Sequence, residues 1–173
     1  MRITVLQGDI TREQVDTIVN AANSGLRGGG GVDGAIHRAA GPQLMAECDK
    51  IRAAQGGCPT GSAVITPAGN LPCRYVIHAV GPVWHGGKQG EDELLASAYS
   101  KCLALAEEWK LKTISFANIS TGVYGFPKER AARIVAGVIT EFAQSASSLK
   151  EVRFVCHDSE NLQFYRAHFP ERK

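Results

Sequence analysis

Apolar residues along this chain switch repeatedly between a period of two and a period of three to four. Six short segments rich in β-branched and aromatic residues are bounded by Gly, Pro, Asn or Asp and read as strands. They are Ile3-Thr4-Val5-Leu6, Thr17-Ile18-Val19, Ser62-Ala63-Val64-Ile65-Thr66, Tyr75-Val76-Ile77-His78-Ala79-Val80, Thr113-Ile114-Ser115-Phe116-Ala117 and Val152-Arg153-Phe154-Val155-Cys156. Between them Leu94, Leu95, Ala98, Tyr99, Cys102, Ala106 and Trp109 recur at helical spacing. Glu91, Asp92 and Glu93 open that stretch and Lys110 and Lys112 close it, the order a helix dipole favours. Another helix is expected with Pro127 at its first position and Ala131, Ile134, Val135, Val138, Ile139 and Phe142 on one stripe. Segments 32–40, 43–54 and 159–168 complete the helical set. Each helix has one apolar stripe and needs one sheet face, so the pattern predicts an α/β fold with a mostly parallel sheet covered on both sides. No linker, internal repeat or low-complexity tract interrupts it, which predicts one domain over residues 1–173.

Composition excludes several classes of function. With 173 residues, 44% of them apolar, a folded chain of this size buries roughly 70% of the surface it would expose unfolded, enough for a core without staples. The five cysteines are odd in number, scattered and never in a C-x-x-C pair. A secreted disulfide framework and a zinc ribbon are therefore not expected, and a reducing cytoplasm fits. Cys73, His78 and His85 show no recognised ligand spacing, so neither metal nor cofactor is expected. No apolar run approaches the roughly 20 residues that cross a bilayer. Gln7, Gly8 and Asp9 interrupt the first apolar segment before a signal core could form, so no export or membrane anchoring is expected. Net charge is only +2 with Lys and Arg dispersed, which leaves no footprint for a dedicated nucleic-acid binder.

Glycine is the compositional excess. There are 19, and six of them (Gly25, Gly28, Gly29, Gly30, Gly31, Gly34) fall within ten positions. Such a cluster is costly unless the backbone must adopt φ > 0 or closely approach a neighbour. It follows the second strand and runs into a helix, an arrangement whose N–H groups and helix dipole seat phosphate oxygens without a cation. Ser120-Thr121-Gly122-Val123-Tyr124-Gly125-Phe126, after the fifth strand, repeats the device. Two such loops can grip a diphosphate from both sides. Gly29-Gly30-Gly31-Val32-Asp33-Gly34 fits G-x-G-x-x-G, but residues intervene between strand and glycines, which argues against a dinucleotide oxidoreductase. No P-loop is present, because Gln89 follows Gly87-Lys88.

Asp33 and His37 are four residues apart and share a helix face. In the first helical turn the Asp33 carboxylate is favoured as an anion, which makes it a weak base suited to orienting a hydroxyl or a water, although a plain capping role also fits. Asn20 and Asn23 offer amides suited to sugar hydroxyls or to turns. Asp9 can accept from an exocyclic amine. Thr11-Arg12-Glu13-Gln14 reads as a capping box with Thr11 at its head.

Six blocks taken together resemble one family: Gly8-Asp9-Ile10-Thr11, the segments 18–23 and 28–41, Pro59-Thr60-Gly61, Val76-Ile77-His78-Ala79-Val80-Gly81-Pro82 and the segment 119–125. The chain is similar throughout to macrodomains, and within them to the MacroD-type branch and the bacterial O-acetyl-ADP-ribose deacetylases. The resemblance implies a three-layer α/β/α macrodomain around a mixed, mostly parallel six-stranded sheet, with a cleft for ADP-ribose. It implies that Asp9 binds the adenine amine and the Ile10 backbone the ring nitrogen. His157 stands where relatives carry a stacking aromatic. Ala22, Gly30, Gly31 and Val32 on one side, with Ser120, Thr121, Gly122, Val123 and Tyr124 on the other, would enclose the diphosphate and distal ribose. Asn23 and Asp33 match the family's catalytic pair, and His37 a further active-site position. The implied reaction is hydrolysis of an acyl ester at the distal ribose, in free O-acetyl-ADP-ribose or in ADP-ribosylated Asp or Glu of proteins, so modified proteins are a second partner class. The alternative is a reader module that binds ADP-ribose without turnover.

Overall fold

The computed structural model describes residues 1–170. Six strands form one sheet: β1 (Arg2–Gln7), β2 (Thr17–Ala21), β3 (Ala63–Pro67), β4 (Tyr75–Ala79), β5 (Thr113–Phe116) and β6 (Glu151–Cys156). Five helices accompany them: α1 (Gly31–Ala40), α2 (Pro42–Gln55), α3 (Glu91–Glu108), α4 (Lys128–Ala143) and α5 (Ser159–His168). The strand order is β1-β6-β5-β2-β4-β3. Every pairing is parallel except β3 with β4. The sheet is thus mixed and mostly parallel, as the alternation of periods predicts.

Successive strand residues point to opposite faces, and each face has its own apolar layer. Val19, Ile77 and Phe154 join Leu95, Tyr99, Ala131, Val135 and Tyr165, so α3, α4 and α5 cover one face. Ile18, Val76 and Val155 join Ile36, Ala40 and Leu44, so α1 and α2 cover the other. That is the three-layer arrangement. All five cysteines are free and buried within it. Burial drives the Cys48, Cys73 and Cys156 thiols up to about 11, which keeps them as small apolar side chains. Among the described residues no helix is long and apolar enough to cross a membrane.

Three local expectations need correction. Trp109 does not continue the α3 stripe: it caps the helix C-terminus, is 45% exposed, and meets Tyr75 edge-on with ring centroids 5.0 Å apart. Pro127 is the residue before α4 rather than its first, because its ψ of 127° is extended. No capping box starts at Thr11. Asp9 instead caps a single 3-10 turn, Ile10–Arg12, accepting from the Thr11 backbone N–H at 3.0 Å and its hydroxyl at 2.6 Å. Glu13, which follows that turn, accepts from Arg153 Nε at 2.7 Å and Ser115 Oγ at 2.8 Å across the sheet.

Candidate functional site

The carboxyl ends of β1, β6, β5, β2 and β4 lie in a row along one edge of the sheet, and the loops leaving them carry the candidate residues. In sheet order these are Asp9 and Ile10 after β1, His157 after β6, the segment 117–127 after β5, and the segment 22–30 after β2. Because β2 and β5 are parallel neighbours, with Ile18 opposite Ser115, the two glycine loops emerge side by side. Ligands of open α/β sheets bind in this crevice.

The first loop enters α1 at Gly31, and no side chain caps that helix. The N–H groups of its first turn are therefore open to an acceptor, and the helix dipole favours an anionic one. A Cβ built on Gly30 or Gly31 meets nothing within 4 Å, so bare backbone lines the crevice there. Gly34 is glycine for another reason: a Cβ at that position lies 2.5 Å from the Gly29 carbonyl, which packs directly on the helix.

The second loop ties itself down through Phe126 N–H to Ser120 O at 2.9 Å and Gly125 N–H to Gly122 O at 3.0 Å. Among the described residues no acceptor takes the N–H groups of Thr121, Gly122, Val123 or Tyr124. Ser120 is held at φ +68°, a left-handed conformation uncommon for a residue with a Cβ, and its buried hydroxyl has no partner. Gly81 packs against it so closely that a Cβ there falls on Ser120 Oγ and Ile119 Cγ2. Val123 is fully exposed at the loop tip.

Groups outside the sequence-predicted set fix this loop. Tyr99, buried on α3, accepts the Ile119 N–H at 3.2 Å through its hydroxyl. Trp84 donates its backbone N–H to Tyr124 O at 2.8 Å and packs its ring on Phe126, centroids 4.8 Å apart. The segment that carries Trp84 is held in turn by Glu91, whose carboxylate accepts the N–H groups of His85, Gly87 and Gln89 at 2.8, 2.9 and 2.6 Å. Burial alone would raise the Glu91 carboxyl, but those donors keep it down at about 2. The acids in the first turn of α3 mark a helix start in the sequence; nothing there shows that one of them folds back as an anchor.

Asp33 sits on the second residue past the α1 entrance, 6% exposed. Its Oδ1 accepts from Asn20 Nδ2 at 2.8 Å and lies 3.4 Å from His37 Nε2. Its Oδ2 and Asn23 Nδ2 both border Gly29, at 3.7 and 4.0 Å from the position of a Cβ there. The geometry therefore brings Asp33, His37 and Asn23 together. Asn23 also braces its own loop, donating to Gly28 O at 2.8 Å and accepting from the Arg27 N–H at 3.1 Å. Asn20 is neither a turn residue nor open to a sugar hydroxyl: it is fully buried in β2 and spends its amide on Asp33.

At the far end Asp9 lies about half-exposed, with its Oδ1 engaged by Thr11. The side-chain and backbone hydrogen bonds from Thr11 hold its carboxyl below the usual value, so it is an anion, with Oδ2 3.8 Å from Arg12 Nε. His157 is exposed beside it, its carbonyl accepting from Gln7 Nε2 at 3.3 Å. The row thus has an acceptor at one end, two amide-lined glycine loops in the middle and a carboxylate-amide pair at the other, the outline of a site for an elongated phosphate-bearing ligand.

Fold and site together define an α/β domain whose two glycine loops present open main-chain N–H groups at the carboxyl edge of the sheet. The Macro domain model matches residues 19–135, and the chain belongs to that family. Over 164 residues it is 58% identical to O-acetyl-ADP-ribose deacetylase 1 of Pantoea vagans, covering 95% of this chain and 96% of that one. Its fold superposes with a TM-score of 0.90 on an Oceanobacillus iheyensis macrodomain with ADP, at 43% identity over 95% of this chain and 88% of that one. A Trypanosoma brucei macrodomain in complex with ADP-ribose gives 0.88 at 41% identity, covering 96% of this chain and 68% of that chain.

Proposed function

We propose that the chain, residues 1–173, is a single macrodomain acting in the cytoplasm as an O-acetyl-ADP-ribose deacetylase. It binds ADP-ribose and hydrolyses an acyl ester on the distal ribose. The same chemistry extends to ADP-ribosyl esters of protein Asp and Glu, which share the ester, the vicinal hydroxyl and the diphosphate. The observation that carries this reading is the carboxylate of Asp33, anchored through Oδ1 with Oδ2 bordering Gly29, as the Asn23 amide also does, where the first glycine loop becomes a helix.

In this reading Asp9, the Ile10 backbone and His157 receive adenine. Ala22, Gly30, Gly31 and Val32 face Ser120, Thr121, Gly122, Val123 and Tyr124 across the diphosphate and distal ribose. Asn23 holds a ribose hydroxyl and His37 flanks the ester. Asp33 Oδ2 accepts a hydrogen bond from the attacking water and orients its lone pair on the acyl carbon. A new C–O bond forms from water, the bond from acyl carbon to ribose oxygen breaks, and acetate and ADP-ribose result. Asp33 positions the water, while a substrate phosphate or the neighbouring hydroxyl relays the water's proton to the departing ribose oxygen.

The test is incubation of purified protein with O-acetyl-ADP-ribose and detection of ADP-ribose. Asp33→Asn is expected to lose turnover by about a hundredfold while still binding ADP-ribose by calorimetry. Binding without turnover in the wild type would leave a reader module instead.

A further inference from the structure

The strand register sets Asn20 of β2 opposite His78 of β4, and both side chains are sealed from solvent. Asn20 Nδ2 donates to Asp33 Oδ1 and lies 3.3 Å from His78 Nδ1. A carboxylate only accepts, so the nitrogen of the Asn20 amide must face Asp33. An amide nitrogen only donates, so His78 Nδ1 must be bare. The ring proton then sits on Nε2, 3.0 Å from Thr66 Oγ1 and 4.0 Å from Cys48 Sγ. Burial, and after it the nearby His37, pushes His78 down to about 3, so the ring stays neutral. Asn20 Oδ1 is left buried without a partner. An unsatisfied acceptor of this kind is costly, and a strand amide retained only for packing does not offset that cost.

We propose that His78 is a positioning residue for the ester hydrolysis, oriented by Thr66: its bare Nδ1 locks the Asn20 amide so that Asp33 is held by Oδ1 alone and Oδ2 stays free for water. The chain of contacts Thr66, His78, Asn20, Asp33 crosses from the antiparallel edge strand β3 to α1 without reaching solvent. The inference rests on Asp33 being the water-orienting group.

The experiment compares the wild type with His78→Leu, which removes the acceptor, and His78→Asn, which returns an amide oxygen near the Nδ1 position. With O-acetyl-ADP-ribose, His78→Leu is expected to lower kcat about tenfold or more with KM and ADP-ribose affinity nearly unchanged, and His78→Asn to recover most of kcat. A folded His78→Leu with wild-type kcat overturns the proposal. So does a loss of kcat and ADP-ribose affinity in equal measure, which marks a packing role. Nitrogen-15 NMR of the wild-type ring supplies a readout independent of turnover and of how the variants fold. A bare Nδ1 and a protonated Nε2 are expected, and the opposite tautomer refutes the lock. Absence of turnover in the wild type with the expected tautomer present would instead fault the hydrolase reading.

Discussion

Acidification tests the burial of His78 quantitatively. Buried first by the sheet and then opposed by His37, the folded ring titrates at about 3, whereas a histidine in the unfolded chain titrates at about 6.5. As pH falls below the unfolded value, the unfolded chain takes up a proton that the folded chain refuses. Stability is therefore complete above that value and is lost on the way down to the folded one, with a limiting slope of about 1.4 kcal/mol per pH unit. Integrated from about pH 7 to about pH 5, this one ring removes about 2 kcal/mol. A domain has only about 5–15 kcal/mol in total, so the change is well within reach of urea unfolding. His78→Asn lacks the ring but keeps every other titrating group. The wild type should lose about 2 kcal/mol more than the variant over that interval. Parallel losses in the two proteins would mean that the ring is accessible or charged in the fold, and the tautomer assigned to it would fall as well.

Gly34→Ala forces its Cβ against the Gly29 carbonyl, a backbone atom that cannot swing aside. A loss of about 1–3 kcal/mol by thermal unfolding is expected, with weaker ADP-ribose binding by calorimetry; wild-type values for both would show that the first loop is not set by this contact. Tyr99→Phe strands the Ile119 N–H, which should cost about 1–3 kcal/mol and speed hydrogen exchange at that amide. Unchanged exchange would remove Tyr99 from the support of the second loop. His157→Phe enlarges the apolar face beside Asp9 and should tighten ADP-ribose binding severalfold without altering kcat, an outcome that equal affinities would contradict.

Much of the architecture is legible in the sequence because strands and helices differ in period, and Ile18 against Val19 or Val76 against Ile77 already assigns residues to opposite faces. The glycine loops are legible because a costly residue in excess needs a cause. What escapes is contact across sequence distance. Asn20 and His78 are 58 residues apart and meet only through strand pairing, so each in isolation reads as an ordinary strand residue. Glu91 looks like a helix-start acid, and its anchoring of the segment before it depends on a turn that spacing does not encode. Thr11 misleads because Asp9, two residues earlier, competes for the same backbone donor and captures the Thr11 hydroxyl as well.

The alternation of faces along β2 ties chemistry to assembly. Ile18 seals one apolar layer and Val19 the other, while Asn20, on the same face as Ile18, reaches Asp33. Were β2 to dock one position out of step with its neighbours, both layers would be mismatched and the amide would swing to the wrong side of the sheet. On the proposed function, specific activity in a preparation of this protein therefore counts correctly threaded molecules, and a compact but misregistered population would be catalytically silent rather than merely slow.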